Sequence, residues 1–343
     1  MSNVVAVSRD ADPKETRMVM LRRLVAAVMM AMMSAGAIAQ SPQAPQGQAP
    51  SMAPHREAWW DSPYGEADTI GALNNLSPAI VRKAAKLVTT GRSYALGVKT
   101  GPETPAFGAR TYAVERMPGP GADFTPNGSQ RVTAFDEKVT TSMGVGTQID
   151  GLAHLGVDHH YYNGITGREV AGSRVLDLAS IPPIVTRGVL IDMAKHYGKP
   201  MLELGDVFNR KEIEAAAKAQ KVTIARGDVV LFHTGWLNMA QTNRDLFRSR
   251  EPGIGEDGAH YLAGLGVVAV GADTVALEAI PFEDPNRVFI VHQTLLARNG
   301  VHILEMINTH ELAKDGVKEF LFVLGTPRME GTVQMVINPI AIR

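Results

Sequence analysis

Cysteine is absent from all 343 residues, which excludes disulfides, thiolate nucleophiles and Cys-ligated zinc. Any metal must therefore be held by histidine, carboxylate, amide or water. Net charge is nearly absent too, since 34 Lys and Arg against 35 Asp and Glu leave −1. Without a clustered basic run, the chain lacks the electrostatic footprint of a nucleic-acid binder. The sequence also holds no G-x-S-x-G elbow, no H-E-x-x-H and no P-loop. What remains is ordinary hydrophobicity over a length that supports one large domain with a full core.

The N-terminus is patterned for export. Met20-Leu21-Arg22-Arg23 supplies a positive stretch, and Leu24 to Met33 is an apolar run shorter than the roughly 18 residues of a membrane span. Ala37-Ile38-Ala39 follows as a small-x-small cleavage site. The expectation is a signal peptide over 1–39 with an upstream extension, cleaved after Ala39. The mature protein would then be periplasmic or secreted, with no stable membrane insertion. Residues 40–58, rich in Pro, Gln, Ser and Ala near their start, read as a flexible linker. A single folded domain is expected over 59–343.

Within that body, Ser77-Pro78 reads as a helix N-cap and first turn. Ile80, Val81, Ala84, Ala85 and Val88 follow at helical spacing, with Gly91 as the stop. A second helix is expected over Asn209–Gln220, and short ones over Glu256–Leu265 and Gln293–Arg298. Six β-rich runs read as strands: Gly188–Met193, Val229–His233, Val267–Val270, Val288–Val291, Phe320–Leu324 and Val333–Ile342. Strands alternating with helices predict an α/β fold. Gly253-Ile254-Gly255-Glu256-Asp257-Gly258 spells a dinucleotide fingerprint. It follows a charged segment, and its two acids would repel a pyrophosphate, so it reads as a turn. The near-match at Gly264, Gly266 and Ala269 reads the same way.

Two polar clusters carry the chemistry. The first runs from Met143 to His154 and on through Asp158-His159-His160-Tyr161-Tyr162-Asn163-Gly164. In an extended segment Gln148 and Asp150, two apart, face one side and point into one cavity. The second runs from His292 to Glu305, whose carboxylate sits among Ile303, Leu304, Met306 and Ile307. Burying such a group is costly unless a cation or donor meets it. Blander readings stand beside these: Asp150 as a turn or cap residue, His159 and His160 as solvated, Glu305 paired with Arg298 or Arg328. Trp59, Trp60, Tyr161 and Tyr162 read either as the wall of an aromatic pocket or as core.

Gly144-Val-Gly-Thr-Gln148-Ile-Asp150-Gly-Leu-Ala-His154 resembles the H-x-G-T-H-x-D-x-x-x-H signature of the cyclase family of metal-dependent hydrolases, which includes kynurenine formamidase and isatin hydrolase. Further matches follow in family order: GEADTIGALNNLSP, RGVLID, GDVVLFHTGW, GVVAVGADT, HQTLL…NGVHILE and LGTPRMEGT. Together they cover roughly Trp59 to the C-terminus. The resemblance implies a β/β/α arrangement around a small barrel-like sheet, assembled as a homodimer or homotetramer. It implies metal ligation by Asp150, His292 and Glu305, and general acid/base work by His154. The His292-to-Glu305 interval is one residue longer than in kynurenine formamidase.

Two departures alter that picture. Gly144 and Gln148 stand where the signature has histidines, so nitrogen donors are lost and Gln148 offers only an amide. Asp150, His292 and Glu305 leave three ligands with room for water, predicting one divalent ion, zinc or manganese. Gln148 is a further candidate ligand, and His159 or His160 a candidate substitute. The expected activity is hydrolysis of a small-molecule amide, formamide (arylformamidase-like) or lactone by metal-activated water. Against it stands a metal-free periplasmic ligand-binding relative that has lost catalysis. A third reading, a lactone-forming cyclase, differs in the direction of reaction.

Overall fold

The computed structural model describes residues 59–117, 119 and 125–343; the expected signal segment and linker lie outside them. A nine-stranded sheet organises this body. Its members are β1 (Ser93–Ala95), β4 (Gln148–Asp150), β5 (Ile184–Asp192), β7 (Val229–His233), β9 (Ala269–Ala272), β10 (His302–Glu305), β11 (Glu319–Leu324), β12 (Gln334–Val336) and β13 (Ile340–Ile342). They lie in the order β1-β13-β11-β5-β7-β9-β10-β4-β12. Strands β5, β7, β9 and β10 are parallel neighbours at the centre, and every residue of β7 is buried. That burial on both faces explains the apolar run from Val229 to Phe232 that precedes His233. Two small ribbons stand apart, β2 (Tyr112–Met117) with β3 (Asp136–Thr141), and β6 (Val207–Phe208) with β8 (Gly253–Ile254).

The strand order forces the sheet to curl. Strands β12 and β13 sit ninth and second in it, yet only Ile337, Asn338 and Pro339 join them. A flat sheet would hold those positions roughly 34 Å apart at about 4.8 Å per strand. A chain from Val336 to Ile340 reaches at most about 14 Å. The two ends of the sheet must therefore approach each other, and Thr147 ties them. Its Oγ1 donates to the Met306 carbonyl (2.6 Å) and accepts from Val98 N (2.9 Å), while its carbonyl accepts from Ile337 N (2.9 Å). The result is a strongly curled α/β half-barrel, in line with the barrel-like sheet expected.

Both faces are packed. One carries Ile149, Leu190, Leu231, Leu304, Phe320 and Phe322. The other buries Val189, Val230, Phe232, Val270 and Ile303 against Ile213, Leu262, Leu295 and Leu296. These last come from the Arg210–Gln220 and Glu256–Leu265 helices and the π-helical turn Gln293–Arg298. The Pro78–Ala85 helix starts as read, with Ser77 Oγ accepting from Ile80 N at 3.3 Å, but it ends well before Gly91. Gly71 and Gly300, both at positive φ, meet back to back. A Cβ on Gly71 would land on the Gly300 carbonyl, and Ala72 N donates to that oxygen at 2.8 Å.

Three expectations are corrected. Val288–Val291 is not a strand: Phe289 takes φ 53° and Ile290–His292 is helical, because Val291 and Leu295 recur at helical spacing and bury together. Val333–Ile342 is two strands, split where Asn338-Pro339 turns the chain and proline offers no ladder N–H. The glycine run at 253–258 is no bare turn. It passes from β8 into the Glu256–Leu265 helix. Side chains on Gly255 would run into Asn209 and Glu283, and on Gly258 into Ile254 and Ile213. Those glycines serve packing, and Glu256 is already paired with Arg287, so the dinucleotide reading stays rejected.

Candidate metal centre

Register brings the two polar clusters together. In the β10–β4 ladder Glu305 pairs with Gln148 and Ile303 with Asp150, and across the other edge of β4 Gln334 pairs with Asp150. Gln148, Asp150 and Glu305 therefore project from one face, opposite Ile149 and Leu304. The Ile290–His292 helix, in place of the expected Val288–Val291 strand, supplies the imidazole. One ligand atom each from Asp150, His292 and Glu305 lie within 4.8 Å of one another, all buried.

The atoms are arranged for a cation. Nε2 of His292 lies 3.2 Å from Glu305 Oε1 and 3.7 Å from Asp150 Oδ2. That Oδ2 is buried with no hydrogen-bond partner, although Oδ1 accepts from Gln334 Nε2 at 2.7 Å. A buried carboxylate oxygen left without a donor is costly, and a metal ion at this point would satisfy it. On the far side of the ring, His292 Nδ1 lies 2.6 Å from Glu278 Oε1, which also accepts from His292 N at 3.1 Å. A carboxylate beyond the ring holds the proton on Nδ1 and leaves the Nε2 lone pair facing the other two ligands. The residues fit a divalent ion.

Protonation follows the same geometry. Burial pushes Glu305 up to about 7, with the Asp150 charge adding to the rise and His292 opposing it. Burial works against charge on His292, yet the surrounding carboxylates of Asp150, Glu278 and Glu305 raise it well above its ordinary value. Asp150 also meets a burial penalty but ends lowered, held by His154 and His292. A cation would take over the role that a proton plays among these groups.

Gln148 stands beside the cluster: its Nε2 donates to Glu305 Oε2, orienting that carboxylate, and its amide oxygen is the atom that could serve as a ligand. His154 follows β4 in a turn, its N donating to Gly151 O at 2.9 Å. Its half-buried ring stands 6.3 Å, centroid to centroid, from His292. Burial lowers its pKa from 6.5, the Asp150 charge resisting. His159 and His160 stay out of the cluster. His160 stacks on Trp60 at 4.8 Å and bonds the Asp158 carbonyl, and His159 is exposed. Trp59 lies under Arg298 at 4.7 Å, and Tyr162 is buried with its hydroxyl on Asp68 and Ser62. Tyr161 and Tyr162 pack with the core, and Trp59 and Trp60 stay partly exposed. Glu305 pairs with neither Arg298 nor Arg328.

Several functional neighbours escaped the sequence reading. Glu278 and Gln334 orient His292 and Asp150. Glu251, fully buried, accepts from Val275 N (2.6 Å) and Ala276 N (2.8 Å) and shapes the loop that carries Glu278. Phe289 sits edge-on to His292 at 5.3 Å, with Phe282 and Phe107 around it. The signal that could have found Glu278 was the one that found Glu305, a carboxylate amid apolar residues. A cleft of about 1480 Å³ opens elsewhere, lined by His233, Asp273, Lys99 and Asn308 among others. None of Asp150, His154, His292 or Glu305 lines it.

Fold and site define an α/β protein with a mixed carboxylate–imidazole ligand set for a divalent metal. The chain belongs to the cyclase family: the family model described as "Putative cyclase" matches residues 74–279. A solved structure described as a novel cyclase is similar over 83% of this chain and 99% of its own, at 27% identity and a TM-score of 0.75. Isatin hydrolase A from Labrenzia aggregata, bound to benzyl benzoate, shares the fold at 16% identity and a TM-score of 0.58, over 77% of this chain and 98% of its own. An isatin hydrolase bound to the product analogue thioisatinate does so at 18% identity and 0.57, over 78% and 98%. No curated protein matches the chain.

Proposed function

We propose that this protein is a metal-dependent hydrolase of small amides, formamides or lactones, with Asp150, His292 and Glu305 holding one divalent ion and His154 moving protons. The observation that carries the reading is the partnerless, buried Oδ2 of Asp150 facing Nε2 of His292. The oxygen-and-nitrogen donor set suits zinc or manganese. When bound, the ion would lower the pKa of a water and polarise the scissile carbonyl. Glu278 fixes which nitrogen of His292 is available, and Gln334 holds Asp150 against rotation. His154, kept neutral near pH 7 by its lowered pKa, accepts a proton from the attacking water and returns it to the leaving amine or alkoxide. The isatin hydrolases that share the fold support a cyclic amide as one member of the substrate class.

Elemental analysis of protein purified without chelator, with assays on formanilide and isatin, tests the proposal. About one equivalent of metal per chain and hydrolysis of either compound is the expected result. A second reading, a metal-free ligand-binding relative, draws on Gly144 and on Gln148 donating to Glu305. Metal below roughly a tenth of an equivalent with neither compound hydrolysed would select it. Export with cleavage after Ala39 and a homodimer or homotetramer complete the proposal. N-terminal mass spectrometry and sedimentation check them.

A further inference from the structure

Arg110 stands where the site's sequence departs from its signature. A Cβ added to Gly144 would lie 2.6 Å from Arg110 Cζ, 2.7 Å from Nη1 and 2.8 Å from Nε. The guanidinium thus fills the space that any side chain at 144 would enter. Among the described residues its one hydrogen bond runs from Nη1 to the Gly144 carbonyl, at 3.3 Å, and no carboxylate pairs with it. A guanidinium carries five N–H donors in a rigid fork matched to a carboxylate. Among the described residues most of them meet no acceptor, on a half-buried side chain. Its charge reaches both His154 and Glu305, and its place against Gly144 sets it at the start of the segment that carries Asp150 and His154.

Charge balance gives that position a purpose. Asp150, Glu278 and Glu305 are three buried acids around one imidazole. A divalent ion alone would leave the pocket negative and hostile to an anion; the guanidinium supplies the balancing charge. We infer that Arg110 anchors a carboxylate on the substrate, so that the enzyme prefers acids whose scissile amide or ester lies close to a carboxylate. Arginine suits this work because paired N–H donors take both oxygens at once, which a lysine does not. The inference rests on the hydrolase reading and adds a substrate class to it.

The test compares 2-formamidobenzoate with formanilide on the metal-loaded enzyme. The ratio of kcat/KM for the acid over the neutral compound should fall at least tenfold in Arg110→Met, mainly through KM for the acid, and less in Arg110→Lys. Gly144→Ala gives an independent arm. Gly144 is not at positive φ, so alanine suits the backbone but displaces the guanidinium, and the ratio should fall again. An unchanged ratio, or equal loss on both compounds, overturns the anchor. If the wild-type protein hydrolyses neither compound, the hydrolase reading fails separately only where isatin is left intact as well, and calorimetry with benzoate decides the anchor. Affinity at least tenfold weaker in Arg110→Met upholds it, and equal affinity overturns it.

Discussion

Oε1 of Glu278 lies 2.6 Å from Nδ1 of His292, and both groups are buried. This bond joins a carboxylate that ligates nothing to the one imidazole of the cluster, and it settles which ring nitrogen is offered inward.

Glu278→Gln should therefore weaken metal binding without removing a ligand. Loss of an outer carboxylate on a ligating histidine typically costs roughly 10–100-fold in affinity. Competition with a chromophoric chelator measures it. Affinity within twofold of wild type would show that the bond does not tune the site.

His154→Ala should lower kcat by roughly 10²–10⁴ with little change in KM, the usual worth of a positioned acid/base group. Metal content should stay at the wild-type level. Burial holds His154 below its ordinary 6.5, so kcat/KM should climb with pH through an inflection below that value and then level off. An ascending limb that survives the substitution would assign the titration to another group.

His302 is fully buried with neither ring nitrogen bonded, and burial depresses its pKa to about 4. The unfolded chain takes up a proton as pH drops below about 6.5 while the folded chain does not until about 4. The stability present above 6.5 is thus lost progressively as pH falls toward 4, by about 2 kcal/mol between pH 7 and 5. His302→Leu should shrink that loss, seen as denaturant midpoints that converge between the two pH values. A midpoint gap as wide as wild type would place the acid sensitivity elsewhere.

Gly71→Ala should destabilise the fold by about 2–4 kcal/mol, through a side chain at positive φ driven into the Gly300 carbonyl. Urea unfolding reads this directly. A midpoint shift worth under about 0.5 kcal/mol, the range of ordinary surface changes, would mean the two segments separate easily.

Local rules made part of the site legible in the sequence, and the resemblance to the cyclase signature supplied the roles of Asp150, His154, His292 and Glu305. The i, i+2 relation put Gln148 and Asp150 on one face, and the buried setting of Glu305 marked it as needing a partner. Strand β7 and the Glu256–Leu265 helix lie where their patterns placed them. What escaped was set by distant contacts. Val288–Val291 has strand-like composition, but burial of Val291 against the helical layer overrides it. Glu278 and Gln334 acquire their roles only through register and a loop held by Glu251. The bond from Gln148 Nε2 to Glu305 is likewise set by the β10–β4 register, which local pattern does not show.

The tripeptide Ile337-Asn338-Pro339 works as a clasp. On one side of it β12 covers the flank of Asp150; on the other, β13 enters the opposite end of the sheet. Cleaving the backbone there, with every ligand intact, would let the half-barrel spring open from both rims. Asp150 would keep its neighbour on β10 but lose its cover from β12, so the last strands of the chain act as the outer wall of the ligand strand.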